Sequence, residues 1–382
     1  MSTSIRTPII QFGTSRFLQA HADLFIHAAA ESGQNAGPIT VVASSGGASG
    51  RARVAIFNEP SGFPVIVRGL ENGAPMERKI QVRSVTRGLE AQGNWKELQR
   101  IVVDEAEFII SNTTEAGFKV PEGLTLDLGV PVDTAPESFP ARLLALLAAR
   151  FQAGRAGLVV LPTELVGRNG DVLKGIVLSL ARKSGASDDL LAWIEQDCVF
   201  ANSLVDRIVS EAIEPIGAVA EPYALWAIEK QPGLRLPCEH PSIRLVDDLE
   251  PVERLKIHIL NLGHTFLAEI WKTRGLDENM TVREILGNAS IRAELTELYA
   301  AEVVPGFALR GMGEEAAAYV GTTLERFDNP FLDHRIRDIA SGHSQKMQRR
   351  IGGFIEWVGA ADGPELPRLN ALLVQASGDV AA

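Results

Sequence analysis

The chain carries two hydrophobic rhythms in its first half and only one in its second. Short apolar runs at 9–12, 39–43, 108–110 and 157–161 read as buried strands, and apolar residues recur at helical spacing over 17–30, 95–103, 139–151 and 171–182. Strands that are apolar throughout and separated by helices predict an α/β fold around a parallel sheet. Two further strand candidates, 65–70 and 79–85, flank the turn-forming stretch E-N-G-A-P. From residue 241 onward strand patterns disappear, and 247–271, 282–303, 313–327 and 333–358 all read as helices. This predicts an α/β domain over 1–240 and a mostly α-helical domain over 241–382, with the boundary in the proline- and glycine-bearing stretch 222–241. The tail from Ala360 turns small and polar and is expected to fray.

The first run ends in Gly13-Thr14-Ser15-Arg16 ahead of a helical segment. Strand, glycine turn and helix are how a Rossmann-type dinucleotide-binding domain begins, the turn letting backbone amides meet a pyrophosphate. Phe12, Gly13, Thr14, Ser15 and Arg16 are therefore the candidate cofactor turn. Only the first glycine of a G-x-G-x-x-G fingerprint is present, Ser15 and Leu18 taking the other two places. The second strand ends in Ser44-Ser45-Gly46-Gly47, which offers no acidic residue to a ribose hydroxyl, and Arg51 and Arg53 follow. This loop leaves NADP open beside NAD. Ser111, Asn112, Thr113 and Thr114 follow the third run, where small polar residues at the end of a parallel strand line a cofactor crevice.

Composition narrows the partners. The 382 residues suffice for two domains, and 46% hydrophobic with 22% charged residues describes a soluble globular protein. A formal net charge of -11 argues against nucleic acid or an anionic membrane as the main partner, while leaving room for a locally basic pocket. The first residues lack the apolar core of a signal peptide and no apolar run is long enough to span a membrane, so a cytoplasmic protein is expected. Cys198 and Cys238 have no ligand-like or disulfide-framework spacing, and no metal site is expected.

The densest candidate chemistry lies in 247–271, where Lys256, Asn261 and His264 stand among apolar residues. On a regular α-helix Asn261 lies about 140° and His264 about 80° from Lys256, so the three share a face, with His258 turned away by about 200°. A desolvated lysine can act as general base while an amide and an imidazole hold a substrate oxygen. The same residues also fit a lysine reaching for water, an asparagine bonded to backbone and a satisfied core histidine.

Lysine, asparagine five residues on and histidine three further resembles the signature of the polyol-specific long-chain dehydrogenases, the mannitol dehydrogenase family. Several stretches resemble its tagaturonate reductase (altronate oxidoreductase) branch in particular: I-I-Q-F-G at 9–13, S-N-T-T-E-A-G at 111–117, S-F-P-A-R-L at 138–143, P-T-E-L-V-G-R-N-G at 162–170, L-V-D-R-I-V at 204–209, L-V-D-D-L at 245–249 and R-F-D-N-P-F at 326–331. The resemblance implies a Rossmann-type domain followed by a helical one with the active site in the cleft between them, NAD as cofactor, and metal-independent interconversion of D-altronate and D-tagaturonate. It implies Lys256 as general acid/base, Asn261 and His264 as donors to the reacting oxygen, and Glu253 in proton passage. Glu164 is implied to bind substrate or organise the site, Asp206 to meet a substrate hydroxyl, and His334 and Lys346 to receive a carboxylate. Leu165 stands where mannitol-type relatives carry an asparagine for the developing alkoxide, which puts half of the expected oxyanion hole in doubt. Other readings stay open: the mannonate/fructuronate pair, another polyol of the family, or a nucleotide-sensing protein without turnover. The sequence says nothing of oligomeric state.

Overall fold

In the computed structural model, residues 5–44, 48–113, 115–130, 132–359 and 365–378 are described. In chain order the first elements are β1 (Ile9–Phe12), α1 (Arg16–Gln19), α2 (Ala22–Glu31), β2 (Ile39–Ala43), α3 (Ala48–Phe57), β3 (Phe63–Glu71), β4 (Ala74–Val82) and β5 (Val85–Glu90). They are followed by α4 (Trp95–Asp104), β6 (Phe108–Ser111), α5 (Phe139–Gln152), β7 (Val159–Pro162), α6 (Asn169–Lys183), α7 (Asp188–Gln196) and β8 (Val199–Phe200). Six of the strands form one parallel sheet in the order β5-β2-β1-β6-β7-β8. The strand order reverses between β1 and β6, and in doubly wound sheets ligands bind at the carboxyl ends of the strands at that point. Each of β1, β2, β6 and β7 is buried along its whole length, which is why each reads as an unbroken apolar run. Amphipathic α4 and almost wholly buried α5 pack with these strands into one core.

Five further elements were not legible as such. Residues 203–246 add β9 (Ser203–Asp206), β10 (Val209–Ala212), β11 (Ala218–Ala220), β12 (Leu225–Glu229) and β13 (Ile243–Val246). A four-stranded sheet runs β10-β11-β3-β4 and a three-stranded one β13-β12-β9. The stretch expected to be a boundary thus contains β12, a buried strand whose Trp226 is fully enclosed. The turn between β3 and β4 is Asn72-Gly73, both at positive φ (54° and 76°), as a two-residue hairpin turn requires.

By compactness the first unit comprises Met1–Val67, Arg78–Ala220 and Ala224–Leu249, and the second Arg68–Glu77, Glu221–Tyr223 and Glu250–Ala382. In the second unit helices follow one another without strands after Leu249: α8 (Glu250–Leu255), α9 (Leu262–Thr273), α10 (Val282–Leu286), α11 (Ala289–Leu298), α12 (Val304–Ala308), α13 (Gly313–Phe327), α14 (Ile336–Ala340), α15 (His343–Met347), α16 (Gly353–Val358) and α17 (Pro367–Gly378). They enclose a core built on Leu262, Leu295, Phe307, Ile351 and Phe354. The frayed tail expected from Ala360 is corrected by α17. Its Leu366, Leu369 and Leu372 are buried in that core, and the Glu302 carboxylate accepts from the backbone N–H groups of Arg368 (2.8 Å) and Leu369 (3.0 Å), which would otherwise be orphaned at the helix start. Among the described residues no helix is long and apolar enough to cross a membrane.

Candidate active site

The candidate cofactor turn is built where β1 meets β6. Gly13 takes φ +128°, and a Cβ there would lie 2.7 Å from the Asn112 carbonyl oxygen, so both the backbone conformation and the close approach of the two strand ends require glycine. Ser15 caps α1, accepting from the Leu18 N–H (3.3 Å), and its hydroxyl reaches Asn112 Oδ1 (3.3 Å). Asn112 in turn donates to the carbonyl and hydroxyl oxygens of Thr163 at the end of β7 (3.1 and 3.0 Å). Phe12 is buried against Phe139 at 5.1 Å between ring centroids, Thr14 gives its carbonyl to Gln19 (3.1 Å), and Arg16 is exposed. Phe12, Gly13, Thr14, Ser15, Ser111, Asn112 and Thr113 therefore converge on adjacent strand ends, where the missing side chain of Gly13 lets the two backbones approach closely. Thr114 lies outside the described residues, as do residues 45–47; Arg51 and Arg53 stand on α3, a helix that the reading of this stretch as a loop did not anticipate.

The single helix expected over 17–30 is two helices. His21 takes non-helical angles between α1 and α2, and its buried ring stacks on Phe17 (4.7 Å) while Nε2 meets the Leu225 carbonyl (3.1 Å). Arg207 donates to the carbonyl of Ala20 and satisfies the group the break would strand. Burial pushes the His21 imidazole down to about 3, so the ring is neutral. Asp206 is buried beside Arg207 on β9, within electrostatic reach of this histidine.

Glu164 is buried at the end of β7, and both its oxygens are engaged: Oε2 accepts from Ser111 Oγ (3.0 Å), Oε1 from the backbone N–H and hydroxyl of Thr113 (2.9 Å each). Burial raises its pKa and these bonds oppose the rise. Of its two expected roles, this geometry supports organising the Ser111–Thr113 segment. It does not cap α6, whose start is held by Asn169, which bonds the Pro162, Glu164 and Ser203 carbonyls. Leu165 is 70% exposed, a bare aliphatic side chain with no donor for an oxyanion.

In the second unit the segment carrying Lys256 is helical from Glu250 to Thr273, but Lys256–Asn261 is a π turn between α8 and α9. The Leu262 N–H reaches back five residues to the Ile257 carbonyl. The regular 100° step therefore fails here, and Asn261 comes round closer to the side of Lys256 than about 140°. Single π turns within α-helices concentrate at functional sites. Lys256 and Asn261 are half-buried, and Glu253 stands one turn before Lys256. His258 faces away, its Nδ1 on the Arg350 carbonyl (2.9 Å), and burial pushes its pKa down to about 4.

His264 is buried with its ring against Phe327 (4.5 Å) and His334 (5.1 Å). Burial, then the neighbouring His334, Arg326, Arg350 and Lys346, hold its pKa well below the usual histidine value. The ring is neutral at physiological pH and can offer one N–H. Among the described residues neither its ring nitrogens nor the Asn261 side-chain amide has a hydrogen-bond partner, and His334 Nδ1 is buried without one. Lys346 on α15 donates to the Ile339 carbonyl (2.7 Å), and His343 on the same helix meets Glu269 of α9 at 2.7 Å, tying the lysine's helix to the one that carries His264. Burial, reinforced by Arg350, lowers the Lys346 pKa. The sequence reading missed Arg350, which lies one turn after Lys346 and donates through Nη1 to the Asn261 carbonyl (3.2 Å) and Thr265 Oγ1 (2.9 Å). The spacing of four from Lys346 was the available signal. Within an acidic protein this is a basic neighbourhood with unpaired neutral donors, suited to a hydroxylated anion.

Fold and side chains together define a dehydrogenase with a Rossmann-type domain followed by a helical unit. The chain belongs to the mannitol dehydrogenase family: residues 7–237 match the mannitol dehydrogenase Rossmann domain and residues 248–371 the mannitol dehydrogenase C-terminal domain. Among curated relatives, altronate oxidoreductase of Halalkalibacterium halodurans is 30% identical over 92% of this chain and 70% of its own length. Altronate oxidoreductase of Klebsiella pneumoniae is 31% identical over 96% and 78%. The fold matches that of a D-sorbitol dehydrogenase in substrate-free form (TM-score 0.78, 21% identity, 92% of this chain and 76% of that one). It also matches Pseudomonas fluorescens mannitol 2-dehydrogenase, solved with NAD and D-mannitol (TM-score 0.69, 19% identity, 99% and 85%).

Proposed function

We propose that this protein interconverts D-altronate and D-tagaturonate with NAD as cofactor. The observation that carries the reading is the set of unpartnered donors, Asn261 and His264, on the helix of Lys256 and beside the basic groups Lys346 and Arg350 and the His334 ring, whose pKa burial lowers. The cofactor, held by Gly13, Ser15 and the Ser111–Thr113 segment, supplies the hydride acceptor in oxidation and the hydride donor in reduction. Lys256 takes the hydroxyl proton of altronate as the alcohol carbon is oxidised, and its ammonium returns a proton to the carbonyl oxygen of tagaturonate in reduction. Asn261 and neutral His264 donate to that oxygen as charge develops on it, each well-placed donor being worth about 2.7–4 kcal/mol in other enzymes. Their amide and imidazole take the part that Leu165 cannot. Glu253, one turn before Lys256, is assigned to proton passage, and Asp206 to a substrate hydroxyl. Lys346 and His334 receive the carboxylate. Glu164 acts indirectly, through Ser111 and Thr113. We assign the enzyme to the cytoplasm, where NAD would be available to it.

The carboxylate assignment is tested by Lys346→Ala. Loss of a charge-assisted bond is expected to raise KM for tagaturonate about tenfold or more, with KM for uncharged fructose within about twofold of its original value. An unchanged KM for tagaturonate removes Lys346 from the carboxylate site.

A further inference from the structure

Among the described residues the second unit contains three π turns, Lys256–Asn261, Tyr299–Val303 and Gln348–Gly352, and the latter two hold the first. Tyr299, fully buried, donates its hydroxyl to the Ile259 carbonyl in the middle of the first turn (2.8 Å). Arg350, from the third, donates to the Asn261 carbonyl at its end and accepts from His258 within it. These are side-chain-to-backbone bonds that a regular α-helix, whose carbonyls are taken up by the residue four ahead, has little use for. The hydroxyl reaches Ile259 past Gly263, and a Cβ on Gly263 would lie 2.0 Å from the Tyr299 oxygen. Glycine at this position, in the interior of a helix where it costs about 1 kcal/mol, is explained by that approach.

We propose that Tyr299 is a positioning residue: its hydroxyl holds the Lys256–Asn261 π turn in register and thereby sets where the amine and the amide stand relative to the substrate oxygen. The inference rests on the roles given above to Lys256 and Asn261. Burial raises the Tyr299 pKa, so the phenol stays a neutral donor throughout the working range. Its ring packs in the core whether or not the hydroxyl is present, so deletion of the oxygen separates register from packing.

The test is steady-state kinetics on Tyr299→Phe, Gly263→Ala and the double variant, with each kcat expressed per folded molecule. Tyr299→Phe is expected to lower kcat about three- to tenfold while KM for NADH stays within twofold, the size expected for one hydrogen bond. Gly263→Ala, which drives the same hydroxyl away, should lower kcat at least as far. In the double variant the clash with the oxygen is gone, leaving contacts at 3.1 Å to Phe327 and 3.2 Å to the Tyr299 ring carbon, so kcat should recover to within about twofold of Tyr299→Phe alone. A purely structural tyrosine would lower the thermal midpoint and leave kcat unchanged, and that result, or additive losses in the double variant, overturns the proposal. Lys256→Ala measured alongside separates the two claims. If it is inactive while Tyr299→Phe turns over normally, the positioning role alone is wrong; if it retains activity, both fall.

Discussion

Replacing Lys256 with alanine is expected to lower kcat at neutral pH by about 10²–10⁴-fold, the usual contribution of a positioned general acid/base. The dissociation constant for NADH, followed by fluorescence titration, should stay within about twofold, because the residues assigned to the cofactor lie at and just after the ends of β1 and β6 in the first unit and Lys256 belongs to the second. The effect should be on the chemical step, so single-turnover rates fall with kcat. Near-normal turnover would show that the proton is handled elsewhere. His264 is a poor substitute, since burial and its cationic neighbours keep its imidazole neutral and resist its taking a proton.

The second large effect concerns stability. Glu221 and Arg326 form a two-bond ion pair inside the second unit, Nε to Oε2 at 3.0 Å and Nη2 to Oε1 at 2.8 Å, with side chains 2% and 4% exposed. The guanidinium also lies over the Tyr223 ring, 4.3 Å from its centroid. Arg326→Ala leaves a carboxylate buried without its charge partner, and a loss of about 3–5 kcal/mol is expected in urea denaturation. The double replacement Glu221→Leu with Arg326→Met should recover much of it, because no uncompensated charge is left behind. A loss below about 1 kcal/mol in the single variant would mean that the pair is compensated by groups other than those seen here.

What was readable depended on whether a residue's neighbours in sequence are its neighbours in space. The strands β1, β2, β6 and β7 were legible because burial on both faces leaves an unbroken apolar run. The strand, turn and helix around Gly13 were legible, and so was the helix that carries Lys256, Asn261 and His264. The spacing of these three was projected on a regular helix, and the π turn, whose carbonyls accept from Tyr299 and Arg350 of distant segments, does not announce itself in local periodicity. Glu221 and Arg326 are 105 residues apart, so the arginine of R-F-D-N-P-F could be seen but not its partner. Strand β12 was hidden by the prolines and glycine around it, and α17 by the small residues that follow Leu373, although Leu366, Leu369 and Leu372 carry a helical spacing. His21 broke a helix that propensity alone would have continued, because its ring finds a partner on β12.

The central claim is that this site reduces a ketouronate with altronate stereochemistry. It is tested most directly by the initial rate of NADH loss with D-tagaturonate beside D-fructuronate, using the unmodified protein. A kcat/KM for tagaturonate about tenfold or more above that for fructuronate is expected, since one misplaced hydroxyl leaves polar groups of the pocket unpaired. Preference for fructuronate would keep the roles of Lys256, Asn261 and His264 and contradict the substrate; no rate with either sugar acid, with NADH or NADPH, would contradict the account as a whole.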